Sequence, residues 1–234
     1  MAIDHQALIR TARLDQATPL CTDHTAALVP GYQPNAPCPP FDVQAANTLL
    51  EQSGWIKGSD GVRAKEGQRL EFAYSTTTNG QWRLDDELIV QQNFQAIGIK
   101  INIQNYPAST LVSMMLAGKY DLVEFEASWA YDADDSLLFA CNQQPPNGFN
   151  ISFYCNHQLD TLFLQEQQTA DPTRRQQIFD HIHQIYLTDF PFITLYSPVD
   201  LAMHKKSVHN YMPGPEGALE DNMVWLWWCD GGHC

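Results

Sequence analysis

Six carboxylates fall within residues 121–135: Asp121, Glu124, Glu126, Asp132, Asp134 and Asp135. They are interleaved with Phe125, Trp129 and Tyr131. Acids beside aromatic rings can grip an ammonium group through ion pairing and contact with the ring face. The candidate ligand contacts are therefore Asp132, Trp129, Tyr131, Asp134 and Glu126. The competing reading is a solvated loop whose aromatics belong to the core. Asp132-Ala133-Asp134-Asp135 offers oxygens to calcium, but the glycine and closing glutamate of an EF-hand loop are absent. A carboxylate pair could hydrolyse a glycoside, yet nothing in the spacing singles one out. There is no G-x-S-x-G elbow, no Gly-rich phosphate loop and no H-E-x-x-H. No catalytic residue, metal site or cofactor is assigned, and the chain is expected not to be an enzyme. His181 and His183, two apart on a predicted helix, face different ways and are read as surface and half-buried residues.

The elements that must position the acidic segment are legible from periodicity. Asp4 caps a short helix through Ile9, and Asp42 caps a second with Val43, Ala46, Leu49 and Leu50 on one face. Asp60-Gly61 signals a tight turn. Leu70, Phe72 and Tyr74 alternate as in a strand. Trp82, Leu88, Ile89 and Ile97 suit a helix ended by Gly98, and Ile99, Ile101 and Ile103 alternate again. Leu111, Val112, Met115 and Leu116 predict a short helix closed by Gly118, and Tyr120 to Ala127 a third strand. Strand, helix, strand, helix, strand implies crossovers and a partly parallel sheet. Ligands in such sheets bind beyond the carboxyl ends of the strands, where Ser128 to Asp132 would lie. Leu159, Leu162 and Phe163 form a helical stripe. Asp171-Pro172 opens a helix with Ile178, Phe179, Ile182, Ile185 and Tyr186 inward. Pro191 to Tyr196 reads as an apolar strand. Trp225, Trp227 and Trp228 are read as packing onto a core, the alternative being a platform for a ligand or partner.

Composition narrows the partners. A chain of 234 residues with 27 acids against 13 Lys and Arg carries a net charge of −14. That surface repels phosphate backbones and anionic membranes, which argues against nucleic-acid binding. It suits cationic or zwitterionic solutes. The cysteines form three near-neighbour couples, Cys21 with Cys38, Cys141 with Cys155, and Cys229 with Cys234. Such couples read as disulfides and an oxidising compartment. Buried free thiols, or zinc on Cys229, His233 and Cys234, are the alternatives. Residues 1–20 lack the apolar core of an export signal, and no apolar run reaches the ~18 residues of a membrane span.

In order and spacing the motifs resemble the family 5 extracellular solute-binding proteins, the peptide/nickel/oligopeptide-binding components of ABC importers. Ala2-Ile3-Asp4-His5 with Ile9 is similar to the family's "AIDR–I" helix. Phe41-Asp42, Ala46, Leu49-Leu50 and Gly54-Trp55 resemble "YDP–A–LL–AGW". Gln91 to Ile99 resembles "Q–L–IGI", Tyr120-Asp121 with Trp129 and Asp132 "YD–W–D", and Asn150, Tyr154, Asn156 and Asp160 "N–Y–N–D". The resemblance implies an α/β, periplasmic-binding-protein-like type II lobe with a mixed sheet and crossover helices. It implies residues 1–200 as the ligand-binding second lobe and 201–234 as a return segment to a first lobe. It implies that Asp132 pairs with a peptide α-ammonium group. Where some oligopeptide binders place a basic residue before the tryptophan, Glu124 and Glu126 stand, which argues for a cationic solute or against a peptide. The expected protein is an extracytoplasmic capture module that serves a membrane permease. The expectation includes a truncated chain with half of its cleft, and self-association through the exposed lobe surface; the alternative is an orphan fragment with no transport role.

Overall fold

The computed structural model describes residues 1–20, 39–126, 134–199, 201–214, 217–222 and 224–232. Two helices open as their caps require. Asp4 accepts from the Ala7 amide ahead of α1 (His5–Ala12), and Asp42 accepts from the Ala45 amide ahead of α2 (Val43–Gln52). Each such cap contributes about 1 kcal/mol. Between α1 and α2, β1 (Ala17–Thr18) runs antiparallel to a later strand described below.

A small meander of β2 (Ile56–Lys57), β3 (Arg63–Lys65) and β4 (Gln68–Arg69) follows. It is fixed by Arg63, which is fully buried. The Arg63 guanidinium donates to Ile97 O (2.8 Å), Trp55 O (2.6 Å), Asn47 Oδ1 (2.7 Å) and Glu51 Oε1 (3.0 Å). One cation thus joins α2, the meander and the end of the next helix. Gly98 makes room for it: a Cβ there would lie 2.8 Å from Arg63 Cγ, and the backbone has φ +82°.

The central sheet has the order β6-β5-β7, all parallel. Its strands are β5 (Glu71–Thr77), β6 (Lys100–Tyr106) and β7 (Leu122–Val123), with α3 (Gln81–Ala96) and α4 (Ala108–Leu116) as crossovers. Glu71 to Thr77 register residue for residue with Lys100 to Tyr106. On one face Ile3, Leu8, Tyr74, Val90 and Ile101 form a core; on the other Leu111, Met115 and Ile151 do. β7 is shorter than the strand expected from Tyr120 to Ala127. The Asp121 carboxylate, not its backbone, accepts from the Ala73 amide (2.8 Å), so ladder pairing starts only at Leu122. Past Val123 one further bond, from the Glu124 amide to Ser75 O, ends the pairing.

A helical layer completes residues 134–190: α5 (Ser136–Phe139), α6 (His157–Gln167) and α7 (Pro172–Asp189). Leu159, Leu162, Phe163, Ile178, Phe179, Ile182 and Tyr186 are buried, as their spacing predicts. Phe139, Tyr186 and Phe192 pack ring to ring with centroids 4.7–5.3 Å apart. His181 is exposed and His183 buried. Residues 191–196 are not the expected strand. The strand there is β8 (Ser197–Pro198), which pairs with β1. Short antiparallel pairs follow: β9 (Val208–His209) with β12 (Trp228–Cys229), and β10 (Met212–Gly214) with β11 (Gly217–Asn222). Trp225 and Trp228 are 75% and 53% exposed, so among the described residues they enter no core. Trp228 stacks on His209 at 3.9 Å and Trp227 lies against Tyr211.

Candidate functional site

β5 and β7 both end at one edge of the sheet, and α3 begins there. Gly80, with φ +97°, allows the tight start; a Cβ on it would lie 2.9 Å from the Trp82 indole nitrogen. Trp82 and Arg83 therefore stand in the first turn of α3 at the strand ends. The end of α1 brings Arg13 to the same edge, and the segment before β8 brings Tyr196.

The guanidinium carbons of Arg13 and Arg83 lie 3.7 and 4.0 Å from the Trp82 ring centroid. Arg13 Nε donates to the Tyr196 hydroxyl (2.9 Å), which donates in turn to Asp86. Glu126 is the acid these cations share: its Oε2 is 4.0 Å from Arg13 and 3.9 Å from Arg83. Arg83 also lies 3.8 Å from Glu124. The arginine side chains are 16% and 14% exposed and Glu126 44%. Contacts of 3.8–4.0 Å are too long for hydrogen bonds. The shelf therefore holds cationic donors that Glu126 balances from the solvent side without saturating them.

Behind the shelf lie buried acids. Tyr74 donates to Glu124 at 2.5 Å, and Asn105 Nδ2 donates to Glu87 at 2.9 Å. Burial raises the Asp86 carboxyl to about 7; the Tyr196 bond opposes the rise and the neighbouring Glu124 charge adds to it. Burial also raises Glu124 and Glu87, against the hydrogen bonds from Tyr74 and Asn105 respectively. Tyr74 and Tyr196 are raised by burial, and by the acids they contact. Asp86 Oδ1, Glu87 Oε2 and Thr76 Oγ1 are buried without a hydrogen-bond partner. Unpaired buried oxygens beside perturbed acids cluster at functional sites more often than elsewhere.

The six acids of residues 121–135 divide. Asp121 serves the sheet and Glu124 serves Tyr74. Asp134 accepts from the Ser136 amide (2.8 Å), the Ser136 hydroxyl (3.0 Å) and Gln167 (2.8 Å), so its carboxylate is engaged in starting α5. Asp135 is buried and accepts from the Tyr186 hydroxyl at 2.8 Å. Glu126 alone of the described five faces an open, cationic edge. Trp129, Tyr131 and Asp132 lie outside the described residues. Glu124 is thus held on the sheet and Asp135 on α7.

Arg13, Trp82, Arg83, Asp86 and Tyr196 are not site residues that the sequence reading picks out. A signal is present. Arg83, Glu87, Val90, Phe94 and Ile97 form an i, i+4, i+7 stripe on α3, and its first half is charged. The apolar pattern Trp82, Leu88, Ile89 and Ile97 does not mark that stripe; Leu88 is 55% exposed, while Asp86 and Glu87 are buried.

Cys141 and Cys155 form the expected disulfide, with Cα atoms 4.6 Å apart. Cys229 is disulfide-bonded as well. Cys21, Cys38 and Cys234 lie outside the described residues.

The architecture is shared with peptide-binding proteins of the type II periplasmic-binding fold. The oligopeptide-binding protein AppA from Bacillus subtilis, solved with a nonapeptide, superposes with a TM-score of 0.78 at 21% identity, over 97% of this chain and 45% of that one. An oligopeptide-binding protein from Thermus thermophilus, solved with a pentapeptide, gives 0.76 at 24% identity, over 93% and 39%. NikZ from Campylobacter jejuni, solved with Ni(L-His), gives 0.74 at 21%, over 84% and 40%. Among curated relatives, AppA is 24% identical over 80% of this chain and 35% of its own length. The di/tripeptide-binding protein 2 of Pseudomonas aeruginosa is 23% identical over 97% and 41%. The glutathione-binding protein GsiB of Salmonella choleraesuis is 26% identical over 92% and 41%. The chain thus spans about two fifths of the length of these relatives. Residues 1–149 match the model of the bacterial extracellular solute-binding proteins, family 5 Middle. The chain belongs to that family.

Proposed function

We propose that this chain carries the solute-gripping face of the substrate-binding component of an ABC importer for peptide-like solutes. In this reading residues 1–200 are a ligand-binding lobe, 201–234 a return segment, and a membrane permease receives the solute outside the cytoplasm. It binds without chemistry. One observation carries the reading: among the described residues, Arg13 and Arg83, stacked on Trp82 at the strand ends, share the half-exposed Glu126 at distances too long for hydrogen bonds. A solute carboxylate can take the place of Glu126 and satisfy donors that Glu126 meets at 3.9–4.0 Å. Asp132, six residues further on, supplies the opposite charge for an α-ammonium group. Trp129 and Tyr131 supply ring faces for the chain between. The acids at 124 and 126 therefore do not preclude carboxylate recognition, because the cations come from α1 and α3. The relatives named for oligopeptides, di- and tripeptides and glutathione support a zwitterionic solute.

The test is calorimetry with di- to pentapeptides, each with free, amidated and N-acetylated ends. Arg83→Ala removes a charge-assisted contact and lowers affinity for free-carboxylate peptides about 10–100-fold. It leaves amidated peptides unchanged. Asp132→Asn has the mirror effect on free and acetylated N-termini. Equal losses for free and amidated peptides would dismiss the assignment of the shelf. No binding of any peptide by the chain would dismiss the reading itself.

A further inference from the structure

The Cys141–Cys155 disulfide lies beside the exposed His157. The two sulfurs and a His157 ring nitrogen all lie within 4.8 Å of one another, with Cys155 and His157 exposed. Two features make this more than a surface disulfide. Asp160 orients the group: one of its oxygens accepts from the Cys141 amide (2.9 Å), and the other pairs with His157 Nδ1 (3.1 Å). A carboxylate on one imidazole nitrogen fixes the tautomer and leaves the other nitrogen for a metal. The second feature is Asn150, fully buried, whose Nδ2 donates to Ala140 O (3.0 Å) and Tyr154 O (2.8 Å). Those are the residues immediately before the two cysteines. The Asn150 backbone amide also donates to Gln143 O (2.8 Å). The two sides of the loop are therefore held together independently of the S–S bond.

We infer that reduction converts this disulfide into a surface site for a zinc-like, thiophilic divalent metal, ligated by Cys141, Cys155 and His157 with solvent in the fourth position. Two sulfurs and one imidazole nitrogen are a donor set suited to tetrahedral zinc. The redox step balances with a small thiol or dithiol as reductant. Its thiolate attacks the exposed Cys155 sulfur and Cys141 leaves as thiolate. A second thiol resolves the mixed disulfide, so two RSH become RSSR and the chain gains two thiols. Metal binding then releases the two thiol protons. Oxidation closes the site, which, for a protein working outside the cytoplasm as proposed above, makes metal uptake a report on the thiol poise there.

The test uses the full chain reduced with a phosphine, and Zn2+ or Co2+ as probe. A variant with serine at Cys21, Cys38, Cys229 and Cys234 isolates the site. It takes up one equivalent when reduced and none when oxidised, and Co2+ gives a sulfur-to-metal charge-transfer band. His157→Ala weakens Zn2+ binding at least tenfold, and Asp160→Asn, through orientation alone, about 10–100-fold. If the four-serine variant does not fold, the otherwise wild-type C141S/C155S chain decides: it must bind one equivalent fewer than the reduced parent. Equal uptake by that chain, a Co2+ spectrum without the sulfur band, or loss of the far-ultraviolet signal on reduction would each overturn the inference.

Discussion

Asp86→Asn should make this protein more stable at neutral pH and flatten its pH dependence. Asp86 is fully buried, and its carboxyl stands at about 7 in the fold against an ordinary 3.8. The fold therefore favours the protonated form. Its contribution is neutral below 3.8, becomes a penalty as pH rises from 3.8 to about 7, and is constant above that. Once ionised, the group costs the fold at most about 4 kcal/mol, of which about 2 kcal/mol develops between about pH 5.5 and about pH 8. That interval also avoids the isoelectric region near 4.7. Asparagine keeps an acceptor for the Tyr196 hydroxyl and cannot ionise. The assay is urea unfolding of parent and variant at both pH values, with the midpoint compared at constant slope. The parent should lose about 2 kcal/mol more than the variant between them. Glu87, also raised by burial, contributes with the same sign in both proteins and cancels in the comparison; Glu124, whose charge raises Asp86, is relieved of that neighbour in the variant and widens the difference in the same direction. Identical losses in the two proteins, or a parent that gains stability with rising pH while the variant does not, would refute the assignment of Asp86 as a buried, proton-holding group.

Other perturbations follow from single buried groups. Arg63→Met leaves Ile97 O, Trp55 O and Asn47 without their donor and should cost about 3–5 kcal/mol in urea; a loss under about 1 kcal/mol would show that the meander does not depend on it. Asn150→Ala removes two bonds to backbone carbonyls, of Ala140 and Tyr154. It should cost about 2 kcal/mol by thermal melting and accelerate amide exchange across residues 141–155; unaltered exchange would refute its role as a clasp.

Much of the frame is legible in the order and spacing of residues. Asp4, Asp42 and Asp171 accept from the amides their positions predict. Leu159 through Tyr186 bury the stripes their spacing marks. Cys141 and Cys155 pair across 14 residues. These are local interactions, set by a side chain and residues near it in the chain, so a one-dimensional pattern contains them. The failures are of another kind, where a side chain from a distant segment replaces backbone. Asp121 takes the Ala73 amide and shortens β7.

The candidate site is only half legible in the same way. The family motif and strand order direct attention to Trp129 and Asp132, and the acid-rich stretch reads as one cluster. Tertiary structure divides that cluster: of its five described acids, four are bound within the protein by a strand amide, two tyrosines and a helix start, and Glu126 remains. It also assembles the cationic shelf from Arg13, Trp82, Arg83 and Tyr196, separated by up to 183 positions in the chain. No periodicity encodes such convergence, because it depends on where α1, α3 and the segment before β8 dock on one sheet edge. Nor can hydropathy find Asp86, since it assigns a carboxylate to solvent. Only the packing of α3 on the sheet decides that this one is buried and that its carboxyl rises to about 7.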